Sequence, residues 1–242
     1  MVSFRFHLFP ALLALSLVPF FPHSDAKAEN EPRALSAAGE VFPFSEATLG
    51  PLGFVDVQAL DPDIRVELKY ASEDNFMREA VYGGLKKAYL REEAAVKLAR
   101  ANKYLKVMRP ELTLLVADAL RPRRVSQMMW TRLSGSPMQR YVADPGRGSI
   151  HNYGFAVDVT ITRTDGERLD MGTPIDYFGE LAEPRFEERF LKEGRLTEEQ
   201  VANRRLLRKV MYAAGFQGIP IEWWHFEALD KKLIRRTYQM VE

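Results

Sequence analysis

Ser149-Ile150-His151-Asn152-Tyr153-Gly154-Phe155-Ala156-Val157-Asp158-Val159-Thr160-Ile161 reads as a turn that runs into a strand. From Phe155 onward the chain alternates: Ala156, Asp158 and Thr160 share one side, and Phe155, Val157, Val159 and Ile161 take the other. A carboxylate therefore stands inside a strand whose opposite face is strongly apolar. Gly154 supplies a turn between His151 and Asp158, so both side chains can converge on one point. A second segment, Glu222-Trp223-Trp224-His225, lies in a final strand expected from about Ile219 to Phe226. Glu222 and His225 are three residues apart and would point to opposite faces of an ideal strand. A bulge or turn near Trp223-Trp224 is needed if both are to reach one site. The two tryptophans read as core and wall.

Working outward, Ile64, Val66, Leu68 and Tyr70 alternate with polar residues and predict a strand. Leu90 to Met108 predicts a helix with Ala94, Leu98, Ala101 and Leu105 on its inner face, ended before Pro110. Leu112 to Ala117 is a short apolar run, expected as a buried strand. Arg121-Pro122 then opens a helix that buries Met128, Met129 and Leu133 and stops at Gly135. Thr197 with Gln200 forms a capping box. The helix it starts is expected to bury Val201, Leu206, Val210 and Ala213 and to stop at Gly215. Strands and helices mix without a regular βαβ repeat. This order predicts a single α+β domain: a largely antiparallel central sheet flanked by helices, with a metal site on the sheet.

Composition narrows the chemistry. The chain has no cysteine, so no disulfide staples it and no thiolate can act as nucleophile or ligand. Arg5, the apolar run Leu8 to Phe21 and Ala26-Lys27-Ala28 predict a signal peptide over residues 1–28 and an exported, periplasmic protein. A membrane anchor is the rival, but the run is short of the roughly 18 residues of a spanning helix and carries Pro10 and Pro19. Residues 29–50 read as a linker or N-terminal arm, and residues 51–242 as the functional domain. Without residues 1–28 the formal charge is near zero, which gives no electrostatic case for nucleic acid or anionic lipid.

Of the four histidines, His7 and His23 lie in the leader. His151 and His225 remain, in S-x-H-x-x-G-x-A-x-D and E-x-x-H. Taken singly, each has a bland reading as a hydrogen-bonded structural histidine, as Asp158 does as an ion-pair partner and Glu222 as a solvated strand residue. Together, two imidazoles and one carboxylate with an open position make the ligand set of a catalytic zinc site. Glu222 adds the base that such a site needs to take a proton from water.

Ser149 to Asp158 together with Glu222 to His225 resembles the D-alanyl-D-alanine dipeptidase family of zinc D,D-peptidases. Lys69-Tyr70-Ala71-Ser72-Glu73-Asp74-Asn75-Phe76, Asp118-Ala119-Leu120-Arg121-Pro122 and Met171-Gly172-Thr173-Pro174-Ile175-Asp176 resemble three further blocks of that family, in its order. The resemblance spans roughly residues 54–240 and implies one Zn²⁺ on His151, Asp158 and His225. It implies Glu222 as general base and then acid, and Arg121 as the cation that stabilises the oxyanion. Ser149 would contact the substrate carboxylate, Asp176 and Tyr70 the substrate ammonium, and Asp118 would support Arg121. One departure is Asn152-Tyr153, where the family often has Ser-Arg. The implied reaction is hydrolysis of the small dipeptide D-Ala-D-Ala. Two alternatives stay open: a D,D-carboxypeptidase or muropeptide endopeptidase of the cell wall, and a non-catalytic zinc-stabilised binding domain.

Overall fold

The computed structural model describes Met1 and residues 46–242. The expected signal peptide, and the expected arm up to residue 45, lie outside the described residues. Among the described residues, no helix is long and apolar enough to cross a membrane. Every element below belongs to the unit Ala37–Glu242. Its strands are β1 (Phe54–Asp56), β2 (Arg65–Val66), β3 (Tyr89–Arg91), β4 (Leu112–Asp118), β5 (Ala156–Arg163), β6 (Gln217–Ile219) and β7 (Glu222–Glu227). The α-helices are α1 (Glu46–Leu49), α2 (Val57–Leu60), α3 (Glu92–Met108), α4 (Arg123–Arg132), α5 (Glu187–Lys192), α6 (Glu198–Ala213) and α7 (Lys231–Thr237).

The main sheet has the order β2-β4-β5-β7-β6, and only its β2/β4 pair is parallel. The fold is therefore the expected α+β arrangement. The apolar run 112–117 becomes β4, buried along its whole length. Helices α3 and α6 pack together and against β4 and β5. On α3, Ala94, Leu98, Ala101 and Leu105 are all fully buried, as their spacing requires. Asn102 pins that helix to the sheet: its side-chain oxygen accepts from Thr113 Oγ1 (3.0 Å) and Leu114 N (2.9 Å). These helices cover the face of β5 that carries Val157, Val159 and Ile161, which leaves the Asp158 face for the site.

The sequence expectations need correction in four places. The strand expected over 64–70 is only Arg65–Val66; the chain then winds into a 3-10 turn, Lys69–Ala71. There the Tyr70 carbonyl accepts from both Val81 N (2.9 Å) and Tyr82 N (3.0 Å), so a loop takes the bond a strand would need. The final strand is a hairpin of β6 and β7, broken at Pro220, which has no N–H to give a ladder. Tyr89–Arg91 pairs with β1, so the helix expected from Leu90 starts at Glu92. On α6 the inner residues are Val201, Arg204, Leu207, Val210 and Met211, not Leu206 or Ala213. A buried arginine on that inner face disguises its apolar pattern. The Thr197/Gln200 capping box is formed.

Candidate metal centre and its surroundings

Strand pairing builds a row of three polar side chains. Asp118 on β4 stands opposite Asp158 on β5, and Asp158 stands opposite His225 on β7. His151 reaches the row from a 3-10 turn, Ile150–Tyr153, just before β5. Gly154 closes that turn at φ +73°, where a Cβ would stand 2.3 Å from the Phe54 ring. Glycine is required both for the conformation and for the close approach.

Three ligand atoms meet in a nearly equilateral triangle. His151 Nε2 is 3.1 Å from His225 Nδ1, His225 Nδ1 is 3.0 Å from Asp158 Oδ1, and Asp158 Oδ1 is 3.3 Å from His151 Nε2. All three residues are buried. The outer nitrogens settle the tautomers. His151 Nδ1–H donates to the Ala119 carbonyl (2.7 Å) and His225 Nε2–H to Glu227 (3.2 Å). Both inner nitrogens then present lone pairs beside a carboxylate oxygen, a convergence that only a proton or a cation relieves. Ligand atoms at zinc–nitrogen and zinc–oxygen distances around one tetrahedral ion lie about 3.3 Å apart, so the triangle fits such an ion. The outer hydrogen bonds are the supports that metal-ligating imidazoles use.

Electrostatics agree with the geometry. Burial pushes the Asp158 carboxyl up, but the two imidazoles more than reverse it and hold it well below the usual carboxylate range. Burial would push the His225 imidazolium down, yet Asp158 and Glu227 override it and push its pKa up to about 10. The triangle is a point that favours positive charge.

Glu222 opens β7, with Oε2 3.9 Å from His225 Nδ1. The expected bulge brings it there. The β6/β7 register passes from Gly218 opposite Phe226 to Ile219 opposite Glu222, so Trp223, Trp224 and His225 swell out of that ladder. Burial pushes the Glu222 carboxyl up to about 8; His225 opposes the rise, and Asp158 and Asp176 add to it. A carboxylate so disposed has the raised proton affinity that suits a base. Both tryptophans are buried, and Trp223 Nε1–H donates to Thr173 Oγ1 (2.8 Å).

Arg121 follows β4. Its Nε (2.8 Å) and Nη2 (2.5 Å) both donate to Asp118 Oδ2, and Nη2 is also 3.5 Å from Asp158 Oδ2. Burial pushes the guanidinium pKa down, but Asp118 leads a set of anionic neighbours that leaves it well above its ordinary value. Tyr82 donates to the other oxygen of Asp118, so that carboxylate is locked against rotation. The Arg121 guanidinium also lies over the Tyr70 ring, 5.2 Å from its centre. Tyr70 in turn donates its hydroxyl to Asp176 Oδ2 (2.9 Å). Asp176 takes the left-handed φ of +67°. Burial, with Asp158, raises its carboxyl to about 6. Ser149 caps the His151 turn, accepting from His151 N (3.3 Å).

Every residue given a metal, catalytic or substrate role in the sequence analysis lines one cavity of about 190 Å³, except Asp118, which pairs with Arg121 behind it. A larger cavity of about 610 Å³, over Leu115, Ala117 and Thr160, contains none of them. Sequence reasoning missed Tyr82, Glu227 and the role of Asn152. Glu227 could have been found, because it follows His225 by two on a strand and so shares its face. Asn152 could have been found as the fourth residue of a capping box from Ser149. Tyr82 carries no local signal.

A buried His–Asp–His triangle on a largely antiparallel sheet, with a carboxylate and a guanidinium at its edge, could hold a metal ion, and the comparisons with known proteins place the chain among peptidases. The family model described as D-ala-D-ala dipeptidase matches residues 51–242, and the chain belongs to that family. It is 34% identical over 173 residues to the D-alanyl-D-alanine dipeptidase of Escherichia coli K12, covering 72% of this chain and 83% of the relative. It is 30% identical over 200 residues to that of Streptomyces coelicolor (73% and 91%), and 28% identical over 200 residues to that of Enterococcus faecium (74% and 93%).

Proposed function

We propose that this peptidase hydrolyses D-Ala-D-Ala to two D-alanines with one zinc ion held by His151, Asp158 and His225. The observation that carries the reading is the triangle of lone pairs, 3.0–3.3 Å on a side, backed by outward hydrogen bonds from both rings. A zinc ion bound there would supply Lewis acidity toward water and the scissile carbonyl. Glu222 takes the proton of the attacking water and returns it to the leaving amine. Arg121, immobilised by Asp118, offers N–H donors to the charge that develops on the carbonyl oxygen. Asp176 receives the substrate ammonium, with Tyr70 fixing its carboxylate, and Ser149 donates its hydroxyl to the substrate carboxylate.

The cell-wall carboxypeptidase or endopeptidase reading needs room for a longer chain beyond the ammonium. The aromatic wall at that end of the cavity argues against it. Tyr70 packs edge-on against Phe76, Phe76 against Phe178, and Phe178 lies beside Tyr141, and all four rings line the cavity. Export to the periplasm, after loss of residues 1–28, would set this activity to work on dipeptides released by wall turnover. The test is a panel on the purified, zinc-supplied protein: D-Ala-D-Ala, L-Ala-L-Ala, N-acetyl-D-Ala-D-Ala and a pentapeptide muropeptide. D-Ala-D-Ala should be the one good substrate. Equal or better cleavage of the muropeptide would hand the site to the wall-peptidase reading.

A further inference from the structure

Four cationic side chains line the site cavity: Arg121, Arg140, Lys231 and Arg235. Three already pair with a carboxylate. Arg121 is clamped to Asp118 (2.5 Å), Arg140 is 3.2 Å from the fully buried Glu183, and Lys231 is 3.0 Å from Glu227. Arg235 differs. Its Nη2 donates to the Gly148 carbonyl at 3.3 Å, and among the described residues no carboxylate lies within ion-pairing distance of it. That bond holds the guanidinium at the Gly148 carbonyl, one residue before Ser149, and both residues line the cavity.

The side chain is presented by a firm element. Asp230 caps α7, accepting from Lys232 N (2.9 Å) and Leu233 N (3.1 Å), and Ile234 is fully buried. Arg235 follows that anchor directly. Its contact with Gly148 uses one N–H of the fork and leaves the others for a ligand.

The substrate of the proposed reaction has a matching unmet need. A free dipeptide carries an ammonium, a carbonyl and a carboxylate. Asp176 answers the ammonium and Arg121 the carbonyl oxygen, while the carboxylate has only the neutral Ser149 hydroxyl. We infer that Arg235 binds the terminal carboxylate of the dipeptide alongside Ser149, which makes it the residue that selects a free C-terminus. The inference rests on the dipeptidase reading above. A guanidinium fork suits a carboxylate better than an ammonium does, because its donors are coplanar and spaced to meet both oxygens.

The competing role is a brace, in which Arg235 merely ties α7 to the loop at Gly148. A brace would affect every substrate alike; a carboxylate receptor would affect only substrates that carry one. The experiment compares the wild type with Arg235→Gln and Arg235→Lys on D-Ala-D-Ala and on its C-terminal amide, with thermal midpoints recorded. For the free acid, Arg235→Gln should raise KM at least about tenfold and leave kcat within about threefold, the signature of lost binding rather than lost chemistry. On the amide, kcat/KM should agree with the wild type within about twofold, and Arg235→Lys should fall between the two on the free acid. Equal losses on both substrates, or an unchanged KM for the free acid, would overturn the inference while leaving the dipeptidase reading in place. A wild type that cleaves neither compound would remove the dipeptidase reading first and this inference with it.

Discussion

His151 and His225 each spend one ring N–H on an outward partner, and this turns both inward nitrogens toward one point. Removal of either ring deletes a corner of the triangle, so His151→Ala and His225→Ala should each lose both zinc and activity. Metal analysis after dialysis reads this directly, and full occupancy in both variants would exclude the histidines as ligands. Glu222 stands outside the triangle, 3.9 Å from His225 Nδ1, so base and ligand can be separated. Glu222→Gln keeps the shape but accepts no proton; it should retain zinc and turn over at least about a hundredfold more slowly. Near-normal turnover would place the base elsewhere. These residues were legible because they are chemically scarce: once the leader is set aside, two histidines remain, and each comes with its own carboxylate nearby.

The turn over Ile150–Tyr153 depends on Asn152, a residue where this chain departs from the motif that carries the family resemblance. Its side chain is fully buried. It accepts from Ser149 N (2.7 Å) and donates to the Arg121 carbonyl (2.7 Å) and to Ser126 Oγ (2.9 Å). The Asn152 carbonyl also accepts from Val241 N (2.8 Å), which ties the C-terminal tail to the same turn. Asn152 thus couples the segment carrying His151 to the segment carrying Arg121. Asn152→Ala strands several buried polar groups and should lower stability by about 2–4 kcal/mol. It should also weaken zinc binding roughly ten- to a hundredfold, the range seen when a ligand's support is removed. Denaturant melts and competition with a chelator would check both, and a variant unchanged in each would show that the turn holds itself. The helices α3 and α6 and the strands β4 and β5 were readable from period and capping. The shortened strand at Arg65–Val66 was not, because alternation records which residues are buried rather than which backbone bonds are made. Tyr70 is buried as the pattern requires, but from a 3-10 turn.

Selectivity belongs to the assembled cavity. Tyr70, from the turn after β2, orients Asp176, from the loop after β5, and the rings of Phe76, Phe178 and Tyr141 line the cavity around them. N-acetylation of the dipeptide removes its charge and adds bulk at the Asp176 end, so the blocked compound should be nearly inert beside D-Ala-D-Ala. Asp176→Ala should depress the free dipeptide by about a hundredfold or more, as expected for a lost charge-assisted contact, and so narrow the gap between the two. A constant ratio of kcat/KM values across wild type and variant would remove Asp176 from the ammonium site. The imidazole and carboxylate types of the triangle, their order along the chain and the α+β class were present in the sequence, since each is a matter of residue chemistry and local period. The meeting of Asp118, Asp158 and His225 in one row was not; the need for a bulge near Trp223-Trp224 was, but not its three-residue span. Nor was the hydrogen bond from Arg235 to the Gly148 carbonyl. Those depend on strand register and on loops brought together across more than a hundred residues in some cases, and no local spacing encodes a register that only the packed sheet selects.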